Sequence, residues 1–295
     1  MAFAFQPGVS PAIESRRIAA EAVEAALAYL STQTVDEAAV HEVRKHMKKL
    51  RGLLRLLRRP LGSAYAEGNV LCRDVARCLS GVRDADVMLE TLAWIQLSGQ
   101  PVDLSLLQQC EGYLQRHRES LRAHSGDMRS RILEARHGLQ AMAGQVADWS
   151  LPEQGLELVK NGLQHIYRQA RDYYRLSLEQ PSDEHIHDWR KRVKYHWYHC
   201  RLLEPLAPDY LGGRAGSLKS LSDIIGREHD LTVLRNFLSS GQEKIAGKLR
   251  MLEIHEALVA LQNRQREQGW RLGGELFEQP AGDWTKTCLQ ACASD

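Results

Sequence analysis

His41-Glu42-Val43-Arg44-Lys45-His46-Met47-Lys48-Lys49-Leu50-Arg51 is the stretch on which the reading of this chain turns. Placed on a helix at about 100° per residue, His41, Arg44, Lys45, Lys48, Arg51 and Arg55 fall on one side. Val43, Met47, Leu50, Leu54 and Leu57 fall on the other. Eight Lys or Arg lie between positions 44 and 59, with Glu42 the acid closest to them. A solvated helix normally interleaves both signs, because like charges one turn apart repel. Here the repulsion is left standing, as it is where an external anion relieves it.

The arrangement recurs. His187-Asp188-Trp189-Arg190-Lys191-Arg192-Val193-Lys194 repeats it 146 residues later, with Arg201 at the place of Arg55. Trp189, Val193 and Cys200 take the apolar side. One charged run is usually just a wet surface; two in the same helical phase argue for an internal duplication. Weaker echoes follow each copy. Gly81-Val82-Arg83-Asp84-Ala85-Asp86 aligns with Ile225-Gly226-Arg227-Glu228-His229-Asp230, and Asp148-Trp149-Ser150 resembles Asp283-Trp284-Thr285.

Outward from the two stripes, nearly every segment carries helical periodicity and none alternates convincingly as a strand. Ser10 or Pro11 opens the first helix and Asp36 caps the stripe helix, which is expected to run to Arg59 and stop at Pro60 and Gly62. A third stretch spans about 64–97 with a break near Gly81. A fourth runs from 103 to about 146 with a break at Ser125-Gly126-Asp127. In the second half, helices are expected over Leu156–Glu179, then from a cap at Pro181-Ser182-Asp183 to Glu204, over Ser217–Ser240 and over Glu243–Gln268. The expected fold is all-α: two pseudo-symmetric four-helix bundles, residues 1–150 and 151–295, with a central basic groove.

Composition bounds the function. Of 295 residues 43% are hydrophobic, enough for a real core, and 39 basic against 37 acidic residues leave a net charge of +2. A uniformly basic nucleic-acid coat is therefore excluded. Positive charge is segregated locally, and local fields are what a polyanion feels, since screening confines them to about 10 Å. The six cysteines (72, 78, 110, 200, 288 and 292) form no CxxC pair, and read as reduced, mostly buried thiols of a cytoplasmic protein. No apolar run approaches the length of a membrane span, and the start, Met1 to Pro7, lacks the regions of a signal peptide.

The stripes have a direct chemical reading. Cations one turn apart can each meet a successive phosphate, Arg bidentately and Lys as a point charge. Two such helices facing each other would line a groove whose binding releases counterions and weakens with salt. His41 and His187 head the stripes, where cationic neighbours disfavour their protonation and a bound polyanion favours it. Arg73, Arg77 and Lys219 are further candidates for the groove, and Lys160, Arg168, Arg171 and Arg175 form another basic row. Asp86 and Asp230 are expected to orient stripe cations through ion pairs.

Enzymatic motifs fail on inspection. Gly241 to Lys248 resembles a P-loop but has one residue too many, Leu249 in place of Ser or Thr, and no strand before it. Glu134/His137 and Glu184/His187 have the Glu-x-x-His spacing of di-iron bundles, without identifiable partner carboxylates. No metal or other cofactor is expected, and nothing marks a nucleophile.

The chain resembles the CHAD domain, the conserved-histidine α-helical domain. The resemblance rests on His41-x-x-Arg44-Lys45-x-x-Lys48 and His187-x-x-Arg190-Lys191-x-x-Lys194, together with the downstream Gly81–Val87 and Gly226–Asp230 segments, and covers about residues 10–285. It implies two bundles whose basic helices face a central groove, and binding of inorganic polyphosphate. With the stripe reading, the expected polyphosphate ligands are His41, Arg44, Lys45, Lys48, Arg51, Arg55, Arg73, His187, Arg190, Lys191, Lys194, Arg201 and Lys219. Members occur at polyphosphate granules and many are fused to a CYTH triphosphatase domain. None is read here ahead of the bundles, so the expectation is binding without hydrolysis. The alternative is a helical nucleic-acid-binding protein, less favoured because only Trp197 and Tyr198 interleave with the stripe charges. Trp197 where the first copy has Arg51, and Glu204 where it has Arg58, make the second stripe shorter.

Overall fold

The computed structural model describes residues 3–31, 35–79, 82–123 and 128–294, with backbone alone for 82, 83 and 248. Among them every regular element is helical: α1 Pro11–Tyr29, α2 Glu37–Leu56, α3 Arg58–Leu61, α4 Ser63–Cys78, α5 Val82–Leu97, α6 Leu104–Ala123, α7 Met128–Ala147, α8 Glu157–Glu179, α9 Asp183–Leu203, α10 Pro208–Ser240, α11 Gln242–Ile245, α12 Lys248–Leu276 and α13 Ala281–Ser294. A 3₁₀ turn, Glu204–Leu206, joins α9 to α10. The breaks expected near Gly81 and at Ser125–Asp127 lie outside the described residues.

The caps follow the local chemistry. Ser10 accepts from the Ala12 amide, with Pro11 in the first turn. Asp36 accepts from Ala39 at 2.8 Å and Ser182 from His185 at 3.1 Å, satisfying amides the helix cannot pair itself. The stripe helix ends three residues earlier than expected. Pro60 has no N–H to offer the carbonyl four residues back, at Leu56, so the ladder breaks there and resumes with Leu61 bonding Leu57 at 3.0 Å. Two later helices are longer than their sequences predict. Pro208 opens α10, as a first-turn proline can, and α12 continues through Gly269, Gly273 and Gly274. A Cβ at Gly273 would meet Trp189 at 2.7 Å, so the glycine marks a helix crossing and not a stop.

α2 is the hub. Its predicted apolar side, Val43, Met47, Leu50, Leu54 and Leu57, is fully buried, and so are Leu53 and Leu56. It packs on α1, α4, α8 and α9. The crossings are close enough to demand glycine. A Cβ at Gly52 would lie 2.9 Å from Tyr198, and one at Gly162 of α8 would lie 2.0 Å from the Leu56 carbonyl oxygen. At the first of these, His199 Nε2 lies 3.0 Å from the Gly52 carbonyl, the distance at which it donates.

The order of packing partners repeats: α1 on α2 and α8 on α9, α2 on α4 and α9 on α10, α5 on α6 and α10 on α12. Yet the cores do not divide at residue 150. The larger joins α1, α2, α4 and α7 to α8, α9, the first half of α10 and α13. The smaller joins α5 and α6 to the second half of α10 and α12. Each half therefore needs the other to bury its apolar faces, and that mutual burial sets the two stripe helices side by side.

Candidate functional site

α2 and α9 pack against each other, with their cationic sides bordering a common cleft of about 570 Å³. Lys48, Arg51 and Arg55 line it from α2, Arg58 from α3, and Arg190, Lys191, Arg192 and Lys194 from α9. Tyr65, Gln169, Tyr195 and Tyr198 complete the lining. Six residues singled out by helical phase thus come together here: Lys48, Arg51, Arg55, Arg190, Lys191 and Lys194.

The electrostatics are those of an unrelieved cationic pocket. Loss of hydration, then Lys194, Arg44 and Arg190, push the Lys48 ammonium down to about 8, with Asp84 opposing. Lys48 still reaches water, so crowding by protein and by cations from the facing helix acts together with solvent. Lys194 is lowered in the same way, by burial and then Arg190, with Asp223 and Asp230 opposing. Among the described residues, none of Lys48, Arg51, Arg55, Arg190 and Lys194 makes an ion pair with a carboxylate within 4 Å.

Away from the middle of the cleft the cations are neutralised. Lys45 pairs with Glu42 at 3.1 Å, Lys191 with Asp188 at 2.7 Å, Arg192 with the same Asp188 at 2.9 Å and Arg201 with Glu204 at 3.4 Å. Lys219 pairs with Asp223, and Arg73 with Asp74 at 2.9 Å. Lys45, Arg73, Arg201 and Lys219 do not line the cleft; Arg201 and Lys219 instead flank Trp197, each 6.0 Å from its ring.

The N-terminal end of the first stripe opens elsewhere. His41 and Arg44 line a separate hollow of about 540 Å³ with Asp36, Glu37, Glu42, Asp86, Arg122 and Arg131, and Arg44 donates to the Ala76 carbonyl at 2.9 Å. His187 lies against His229, ring centroids 4.5 Å apart. Burial first, then Lys191 and Arg190, keep His187 below the usual histidine range, so desolvation adds to the effect of the cationic neighbours. Asp86 meets Arg118 of α6 at 3.6 Å rather than a stripe residue. The acid whose charge acts on Lys48 is Asp84. Gly81 and the Arg83 side chain lie outside the described residues. In the α8 row, Arg171 donates to the carbonyls of Phe277 and Glu278, fastening α8 to the turn before α13.

Sequence reading left Arg58 and Arg192 out of the expected ligands and missed Tyr65 and Tyr195 of the lining. Arg58 lies at the far end of the stripe, past the end of α2 at Leu56, and Arg192 lies off the stripe phase; Tyr65 comes from α4, so no periodicity along α2 or α9 points to it. Tyr195 was legible from its place one residue after Lys194.

Among the described residues no group of three or more His, Cys, Asp or Glu is placed to hold a metal ion. Among the same residues no helix is long and apolar enough to cross a membrane.

An all-α protein whose two halves share a core and meet at a cation-lined cleft is what fold and site define. A family model for the CHAD domain matches residues 17–239, and the chain belongs to that family. The crystal structure of the CHAD domain from the plant Ricinus communis has the same fold, with a TM-score of 0.59 over 99% of this chain and 95% of that one at 16% identity. A search of curated proteins returned no match.

Proposed function

We propose that this protein binds inorganic polyphosphate, without hydrolysing it, in the cleft between α2 and α9. The observation that carries the reading is the set of cations from both helices, Lys48, Arg51, Arg55, Arg190 and Lys194, that share one cleft without a carboxylate partner. Holding them together costs free energy in desolvation and repulsion, and a chain of phosphates relieves both by supplying closely spaced negative charge with no steric bulk between units. The matching order of helices in the two halves supports an origin by duplication, with one stripe from each copy.

The test is titration with long-chain polyphosphate at two salt concentrations. Micromolar or tighter binding that weakens steeply with salt is expected. A Lys48→Glu/Lys194→Glu double variant that folds and binds as tightly as the parent would falsify the assignment. Orthophosphate release on incubation with polyphosphate and Mg²⁺ would overturn its non-catalytic part.

The tyrosines in the lining favour a second reading, nucleic-acid binding, since bases stack on such rings. Against it, the Arg55 guanidinium lies 3.9 Å from the Tyr195 ring centre and Arg58 covers Tyr65 at 5.3 Å. Each ring thus has a face taken by an arginine. RNA displacing polyphosphate at equal phosphate concentration would reverse the ranking.

A further inference from the structure

We infer that Arg51 and Arg55 form a pre-set clamp for the phosphate chain, held in place by Asn69 of α4 and Tyr195 of α9, and that the cleft therefore grips its ligand from the α2 side. The inference rests on the polyphosphate reading above and adds two positioning residues and an asymmetry to it.

The Asn69 side-chain oxygen accepts from Arg51 Nε at 3.1 Å and from Arg55 Nη1 at 3.0 Å. Arg55 Nη1 also donates to the Arg51 carbonyl at 3.2 Å, and its guanidinium lies over Tyr195. Each guanidinium carries five N–H donors in a rigid fork. Arg51 spends only Nε on these contacts, and Arg55 only Nη1. Among the described residues the remaining nitrogens of both make no hydrogen bond to protein, and both side chains line the cleft. Two forks fixed along one edge, with their other edges open, suit the non-bridging oxygens of neighbouring phosphate units.

The identity of the holding group matters. A carboxylate at position 69 would place the arginines as well but cancel part of their charge. An amide oxygen orients them and leaves both charges for the ligand. Ordering a long side chain at an interface is a cost that pre-placement removes. The second half has no counterpart. The positions 146 residues on from 51 and 55 are Trp197 and Arg201; position 69 falls on Ala215 in that register and on Gly213 in the 144-residue register of the segments downstream. Arg201 is paired with Glu204 at 3.4 Å, and neither Ala215 nor Gly213 has a side-chain acceptor.

The experiment titrates the parent, Asn69→Ala and Asn69→Asp with long-chain inorganic polyphosphate across a salt series, with a thermal melt of each. Asn69→Ala keeps every cation, so its affinity is expected to fall about tenfold at each salt, with the slope of log K against log salt unchanged. Asn69→Asp keeps an acceptor but adds a competing charge, so its slope is expected to become shallower by about 0.7. Asn69→Ala binding like the parent, or flattening the slope, overturns the clamp; so does Asn69→Asp keeping the parent's affinity and slope. A parent that binds no polyphosphate at any salt overturns the assignment of the cleft itself.

Discussion

Replacing Lys48 by Met should make the protein more stable and a worse binder. In the folded protein the Lys48 ammonium is held near 8 against an ordinary 10.5, chiefly by lost hydration and then by Lys194, Arg44 and Arg190. A difference of that size corresponds to about 3 kcal/mol against the charged form. Lys48 reaches water, and screening brings the share felt in stability to roughly 1 kcal/mol. For a chain of this length that is a rise in Tm of about 1–2 °C at pH 7. Because the folded value lies below the unfolded one, the penalty is complete below pH 8 and is relieved as pH rises from 8 to 10.5. The stability gap between Lys48→Met and the parent should therefore close over that window. Ligand binding works the other way: a polyanion restores the proton, so at pH 8 the parent should take up about half a proton on binding polyphosphate. Calorimetry in two buffers of different ionisation enthalpy reads that uptake. Lys48→Met should lose it, and its salt slope should fall by about 0.7. A lower Tm for Lys48→Met, or identical heats for the parent in both buffers, would refute the reasoning.

Three further outcomes are expected. Gly162→Ala sets a methyl group against the Leu56 carbonyl at a helix crossing where neither backbone can retreat, and should cost about 2–3 kcal/mol in urea unfolding; a variant as stable as the parent would show that the crossing gives way. His199 is buried and pushed down to about 3 by desolvation, and fully buried His196 is likewise well below the usual range. Their folded values lie below 6.5, so the stability they contribute is present above pH 6.5 and is lost on acidification, at up to about 1.4 kcal/mol per pH unit for each. A urea midpoint that stays flat from pH 7 to 5 would contradict this. Arg73→Gln should leave polyphosphate affinity within about twofold, because Arg73 is already paired with Asp74 outside the cleft lining and an exposed pair is worth little; a tenfold loss would extend the site along α4 to Arg73.

How much of this could be read in advance differs between fold and site. The stripe helices, their caps at Asp36 and Ser182 and their buried sides followed from periodicity and end chemistry, because a helix's hydrogen bonds and its i,i+4 neighbours are local. Helix ends set by a distant partner were less legible. The helix expected to end at Gln268 runs on to Leu276, through glycines at which α12 closes on Trp189 and Tyr174.

The sequence alone determined that this chain is helical, that cations gather on one side of two helices in matching phase, and that its family is CHAD; each is carried by residues near one another along the chain. Tertiary structure alone decided which of those cations act together. Lys45 and Arg201 have the right phase and Lys219 was a further candidate, but they spend their charge on Glu42, Glu204 and Asp223. Arg58, Asn69 and Tyr195 enter the site from outside the motif. The reason is physical: helical phase shows which way a side chain points, whereas the fate of its charge depends on groups a neighbouring helix brings within a few ångströms.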